Sequence, residues 1–340
     1  MIRGVRARQI PCHHPSGPQL PIRIIWNAAK RKARNWMRGE IMRWVMLLAF
    51  IACAAHTHWR GKVRHGFFRQ LSDHSTFMSP LNGFVYLFSG VPSTPFLEPS
   101  LFPELARIKA HWEVIRAEAI ALHEGSKIQA AGAYNDIGFN SFFRRGWRRF
   151  YLKWYDRPHP SAVAQCPNTV SILQKVPTVK AAMFAMLPPG GVFTLHRDPY
   201  AGSLRYHLGL VTPNDDNCAI VVDGRRYSWR DGEEVVFDET YLHWAENKTD
   251  KDRIILFCDI ERPMKYRWAQ AFNHAVGGFL MRAATSPNEI GDRTGGLNRA
   301  FKYLYSIRLV GKRLKAWNLI VYYIVKWLLF GGIAVAIFWH

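Results

Sequence analysis

The chain has 340 residues, 49% of them apolar, with 46 Lys and Arg against 25 Asp and Glu for a formal charge of +21. Such an apolar fraction excludes disorder throughout, and the length suffices for one large or two modest cores. Residues 1–70 hold 14 basic and 1 acidic residue, residues 71–266 hold 22 of each, and residues 267–340 hold 10 and 2, so the neutral middle excludes a basic, nucleic-acid-reading domain.

Ten basic residues precede a twelve-residue apolar run at 44–55 (WVMLLAFIACAA), and Arg60, Lys62, Arg64 and Arg69 follow it. Twelve residues are marginal for a bilayer span, and basic residues on both sides give the positive-inside rule no direction to choose. Three readings stay open. Met42 is the true start and residues 1–41 are a basic extension outside the native protein; or the run lies in the membrane interface; or the Arg-rich, acid-poor leader is a transit peptide. Residues 42–58 then form an apolar membrane segment, and residues 59–266 the folded domain.

Within that domain, residues 103–124 repeat apolar positions at Leu105, Ile108, Trp112, Ile115, Ala119 and Leu122. A proline at the start and Gly125 at the end complete the pattern of one capped helix. From residue 147 the texture changes to short β-rich runs at 147–155, 179–187, 204–211, 219–222, 226–229, 234–237 and 253–260. Asp223-Gly224 predicts a type I′ hairpin and Asp231-Gly232 the next turn. Seven short strands without alternating helices predict a mainly β sandwich or jelly roll with helical additions. Met183 and Met186 are expected in its core.

Residues 267–316 form a basic juxtamembrane region that ends in Arg308, Lys312, Arg313 and Lys315. The C-terminal segment 317–340 is a transmembrane helix, because residues 318–339 carry a single charge, Lys326, over 22 positions. The basic cluster places residue 315 on the cytoplasmic side. Cys12, Cys53, Cys166, Cys218 and Cys258 are widely spaced with no CxxC pair, the usage of inert thiols in a reducing compartment.

Chemistry is concentrated in His196-Arg197-Asp198 and in His243, 45 residues after Asp198. Alternation along a strand presents His196 and Asp198 on one face. A second imidazole from a distant strand completes the two-histidine, one-carboxylate set that leaves adjacent metal positions open, as in non-haem Fe(II) oxygenases. Arg253 opens an apolar run, RIILFCDI, where its guanidinium can clamp the distal carboxylate of 2-oxoglutarate. Arg205 and His207 share one strand parity and can reach the same site. Asp238 and Glu239 either orient a ligand imidazole or end a strand in solvent. Arg144, Arg145, Arg148 and Arg149, interleaved with Phe142, Phe143, Trp147 and Phe150, either meet lipid phosphate or form the charged outer face of a strand.

The blocks LPPGGVFTLHRDPYAGSLRYHLGL and DGEEVVFDETYLHWAENKTDKDRIILFCDIERP resemble the aspartyl/asparaginyl β-hydroxylase family of 2-oxoglutarate dioxygenases. RQLSDHSTFMSPLN and YNDIGFNSFFRRGWRRFYLKWYD, with the terminal apolar segments, resemble more narrowly the bacterial lipid A hydroxylases. The resemblance covers residues 59–266. It implies a double-stranded β-helix, Fe(II) held by His196, Asp198 and His243, and 2-oxoglutarate held by Arg253 with Arg205 and His207. Some peptide-hydroxylating relatives have glycine where Asp198 stands, and Ala185 takes the place of a small hydroxyl residue near the cosubstrate in others.

The expectation is thus an inner-membrane enzyme of a bacterium with a cytoplasmic catalytic domain. It uses Fe(II), 2-oxoglutarate and O2 to hydroxylate C2 of a secondary acyl chain of lipid A or another membrane lipid. The rival readings are a hydroxylase of aspartyl or asparaginyl side chains and a membrane-anchored β-sandwich that binds ligand without chemistry.

Overall fold

The computed structural model describes residues 20–130, 136, 139–143, 145–155 and 157–338. The described residues divide into one compact unit up to Ala49 and a second from Phe50 onward. A helix runs Leu20–Trp59 and another Leu319–Phe338. Over Lys30–Trp59 and Leu319–Ala336 these helices are long and apolar enough to cross a membrane. The apolar run at 44–55, short by itself, is therefore the end of a longer helix. Cys53, Cys166, Cys218 and Cys258 are free thiols, and Cys12 lies outside the described residues.

Eleven strands occur among the described residues. They are β1 (Phe96–Leu97), β2 (Arg148–Trp154), β3 (Arg157–Pro158), β4 (Val179–Leu187), β5 (Val192–His196), β6 (Ser203–Val211), β7 (Cys218–Val222), β8 (Arg225–Ser228), β9 (Glu234–Phe237), β10 (His243–Asn247) and β11 (Arg253–Glu261). One sheet has the order β1-β9-β6-β11-β4-β2-β3 and the other β5-β10-β7-β8, with antiparallel pairing throughout. The eight strands β4 to β11 cross between the sheets at nearly every step, which winds them into the expected double-stranded β-helix.

Alternation along each strand sorts side chains into two layers. Met183, Ala185, Ile220, Val222, Phe237, Ala245 and Ile255 fill the space between the sheets. Phe184, Met186, Leu208 and Leu256 point the other way and pack with Ile115, Ala119, Leu122 and Leu173 of the covering helices. Met183 and Met186 are both core, one in each layer. At the predicted hairpin, Asp223 and Gly224 have φ of 50° and 82°, the two positive values a type I′ turn requires.

Two local expectations need correction. The single helix over 103–124 is broken into Pro103–Leu105, Ala106–Lys109 and Trp112–Glu124. The His111 ring Nδ1 bonds the Arg107 carbonyl at 2.8 Å, while the His111 backbone N–H turns to Ile108. The side chain thus occupies the acceptor that the helix ladder would use. The seven strand runs appear within a residue or two of their expected limits, but β5 and β10 were not among them. Val192–His196 is half-exposed along its length, and His-Trp-Ala-Glu-Asn carries no apolar alternation. Pairing between β5 and β7 makes β10 a strand.

Candidate active site

The register of β10 on β5 makes His243 and His196 direct partners, and their rings lie 4.3 Å apart. Asp198 is not on the strand with His196, as alternation suggested. It lies two residues beyond the end of β5, where its backbone N–H donates to the Glu239 carbonyl at 2.9 Å. One ligand atom from each of His196, Asp198 and His243 falls within 4.8 Å of the others. His196 Nδ1 bonds the Thr194 carbonyl at 2.7 Å and His243 Nδ1 bonds the Tyr241 carbonyl at 2.9 Å. A carbonyl only accepts, so both protons sit on Nδ1 and both Nε2 lone pairs are left for a metal. The donor set fits a divalent first-row ion such as Fe(II).

Electrostatics keep Asp198 and His243 in the form a metal would need. Burial alone would push the Asp198 carboxyl up, but Arg205, His243 and His196 outweigh it and hold the group well below the usual carboxylate range. Burial, with His196 beside it, pushes His243 down to about 3, so its imidazole stays neutral. Arg205 Nη2 donates to Asp198 Oδ2 at 2.7 Å and also bonds Glu239, and its Nη1 lies 2.8 Å from Asp259. Burial raises the carboxyls of Glu239 and Asp259, so these hold protons more tightly while Asp198 ionises.

The same pocket is lined by Phe139, Phe142, Trp147 and Phe193 beside His196, and by Arg205, His207, Trp229, Phe237, Arg253 and Phe257 deeper in. Arg253 is 1% exposed, and its Nε and Nη2 have no partner among the described residues. Its guanidinium lies over the Trp229 ring at 4.3 Å. Burial lowers Arg253 to about 10, opposed by Cys218 alone. Trp229 Nε1 donates to His207 Nδ1 at 3.3 Å, so the His207 proton is on Nε2, which is buried and unpartnered. Buried donors left unmade are costly. An anion entering the pocket would satisfy the Arg253 and His207 donors together.

All six residues singled out in the sequence, His196, Asp198, Arg205, His207, His243 and Arg253, line this one pocket. Arg205 differs from Arg253 in that its guanidinium is turned toward carboxylates. Asp238 and Glu239 do not end a strand in solvent, since both are buried, and the two imidazoles are oriented by backbone carbonyls instead. Asp238 pairs with Arg60 and Arg262, and Glu239 with Arg205 and Ser203. Arg149 is likewise internal, bonding Asp136 at 3.1 Å, whereas Arg145 and Arg148 are exposed and Arg144 lies outside the described residues. Ala185 sits in the interior layer opposite Ile255 and brings no hydroxyl. Sequence reasoning missed Asp259 and Trp229. Asp259 shares strand parity with Arg253, a readable signal, but its partnership with Arg205 depends on the β6–β11 register.

Residues 109–263 match the family model for aspartyl/asparaginyl β-hydroxylase. An ornithine lipid ester-linked acyl 2-hydroxylase from Rhizobium tropici is 36% identical over 50% of this chain and 62% of its own. The human aspartyl/asparaginyl β-hydroxylase is 25% identical over 53% of this chain and 24% of its own. This chain therefore spans less than two thirds of either relative. A prolyl-4-hydroxylase crystal structure from Pseudomonas putida superposes with a TM-score of 0.30 at 15% identity, over 46% of this chain and 88% of that one. The domain at residues 109–263, a little under half of the chain, resembles the aspartyl/asparaginyl β-hydroxylase family.

Proposed function

We propose that this protein is a membrane-associated Fe(II)/2-oxoglutarate dioxygenase that hydroxylates C2 of a fatty acyl chain on a membrane lipid. The observation that carries the reading is the pairing, in one pocket, of a His-Asp-His donor set with the unpartnered donors of Arg253 and His207. His196, Asp198 and His243 would hold the iron, and Arg253 with His207 would take a carboxylate of 2-oxoglutarate. Bound iron supplies the coupling of O2 reduction and 2-oxoglutarate decarboxylation, giving succinate and CO2, to replacement of a C–H bond by C–OH. Arg205 keeps Asp198 ionised, and the backbone carbonyls of Thr194 and Tyr241 hold both imidazoles in the ligating tautomer. The rings of Phe139, Phe142, Trp147 and Phe193 give the mouth an apolar wall suited to an alkyl chain.

A secondary acyl chain of lipid A is the substrate favoured by the sequence segments around the domain. An ester-linked acyl chain of an ornithine lipid is the alternative suggested by the Rhizobium relative. The basic, apolar flanks support a place at the bacterial inner membrane with the domain in the cytoplasm. Lipid mass spectrometry of strains carrying this chain or its His196→Ala variant tests the reading. A lipid A or ornithine lipid species heavier by one oxygen should be present with the first and absent with the second. Equal hydroxylation in both strains overturns the assignment. A mass shift on peptides alone favours the aspartyl/asparaginyl reading, and no oxoglutarate turnover with any lipid favours a binding protein without chemistry.

A further inference from the structure

Between the helix that ends at Trp59 and the catalytic strands lie two short helices, Phe67–Leu71 and His74–Phe77. Their inner side is polar. Gln70 Nε2 donates to the Ser75 and Thr76 hydroxyls at 3.1 and 2.9 Å, and all three residues are buried. Their outer side is apolar: Phe67, Phe68 and Phe77 are 63%, 77% and 53% exposed, with Leu71 beside them. This reverses the usual arrangement of a surface helix in water, which turns its apolar face inward. Lys62, Arg64 and Arg69, in the same stretch of chain, are exposed. Asp73, the one carboxylate in residues 60–77, is spent on capping, accepting from the Ser75 N–H at 3.0 Å.

The two helices are fastened to the active site. Arg69 Nη2 donates to the Leu195 carbonyl at 3.5 Å and His74 Nε2 to the Arg197 carbonyl at 2.9 Å, one on each side of His196. The wall of the pocket at that point is aromatic, with the Phe142 ring 4.9 Å from His196. Outward, the Phe77 ring meets Phe330 of the apolar C-terminal helix at 5.7 Å.

We propose that Phe67–Leu71 and His74–Phe77 form a lip that dips into the bilayer and passes the acyl chain from the membrane to the His196 side of the pocket. The inference rests on the lipid reading of the function. Its occupant is a lipid bilayer because exposed aromatic rings with exposed Lys and Arg close by in the chain match the headgroup boundary. The surface also meets, at Phe77, the C-terminal helix, which is long and apolar enough to span. None of these side chains belongs to the metal or oxoglutarate site.

The test uses the full chain in phosphatidylethanolamine/phosphatidylglycerol vesicles that contain the acyl substrate, and the same substrate in detergent micelles. The double variant Phe67→Ser/Phe68→Ser should lose about tenfold or more of the vesicle rate, as expected for two rings no longer buried in lipid, and keep its micelle rate. Phe68→Leu should keep both. A photoreactive benzophenone side chain at position 68 should form phospholipid adducts. An unchanged vesicle rate in the double variant, or an equal loss in both formats, overturns the lip. So do adducts formed only with a second copy of this chain, which would make the surface an interface between copies. Wild-type protein silent in both formats instead overturns the lipid function, and the adducts at position 68 then decide the bilayer contact by themselves.

Discussion

Arg205 Nη2 lies 2.7 Å from Asp198 Oδ2, and the same guanidinium meets Glu239 and Asp259. One cation thus serves two buried carboxyl groups and the partly exposed Asp198, and only Asp198, which faces the two imidazoles, is held well below its ordinary range. A carboxylate must be ionised to bind a metal, so Arg205 keeps Asp198 in the form that the proposed metal site requires.

Replacing Arg205 by Met should leave those carboxyl groups without a counter-charge. The expected loss of folding stability is about 3–5 kcal/mol, the usual result of breaking a buried ion pair from one side. Denaturant midpoints of the variant and its parent measure it. Metal affinity, followed by titration with a divalent ion, should fall as well. Arg205→Lys keeps the charge but not the fork that reaches Asp198 and Asp259 together, so it should fall between the two. Full stability in Arg205→Met would refute this account.

Arg253→Met should separate cosubstrate binding from metal binding. Loss of a bidentate charge-assisted contact worth about 2–3 kcal/mol raises the KM for 2-oxoglutarate roughly 30- to 150-fold. The metal titration should be unchanged, because among the described residues no hydrogen bond or ion pair links Arg253 to His196, Asp198 or His243. Without cosubstrate the variant should also be more stable than its parent. Burial has lowered Arg253 from 12.5 to about 10, so carrying its charge at neutral pH costs the fold on the order of 3 kcal/mol. An unaltered KM would remove Arg253 from the oxoglutarate site.

Asp198→Ala tests whether two histidines suffice. Metal affinity should drop by at least the roughly 10–100-fold that loss of a mere outer partner causes. The fold should persist, since Arg205 keeps Glu239 and Asp259 as partners. Metal binding equal to that of the parent would show that the carboxylate is dispensable here.

The parts legible in the sequence were those written as alternation. β4, β6, β9 and β11 announce themselves as apolar runs, and the parity of Arg205 with His207 placed both in the pocket. The strands that carry His196 and His243 were the illegible ones. β5 is an exposed edge, and β10 gains its conformation from neighbours on either side, so local pattern says little about them. The burial of Asp238 and Glu239 was hidden for a related reason. Their partners, Arg60, Arg262 and Arg205, are brought to them by tertiary folding from distant parts of the chain.

His159 gives the fold a pH dependence through its burial and its neighbours Asp292, Arg149 and Arg293. Its ring is buried, stacks on Tyr151 at 5.8 Å, and has no hydrogen-bond partner among the described residues. Burial pushes it down to about 4 despite Asp292 at 3.7 Å, which pulls the other way. The unfolded chain protonates this group near 6.5, while the folded chain resists until about 4. Its contribution is therefore fully present above 6.5 and is lost as the pH falls through that window, by up to on the order of 3 kcal/mol. His65, lowered to about 4 mainly by burial, acts in the same direction. His159→Phe keeps the stacked ring and removes the proton, so its denaturant midpoint should fall less steeply between 6.5 and 4 than that of the parent. Parallel curves for the two proteins would show that His159 is protonated in the folded state with no such penalty.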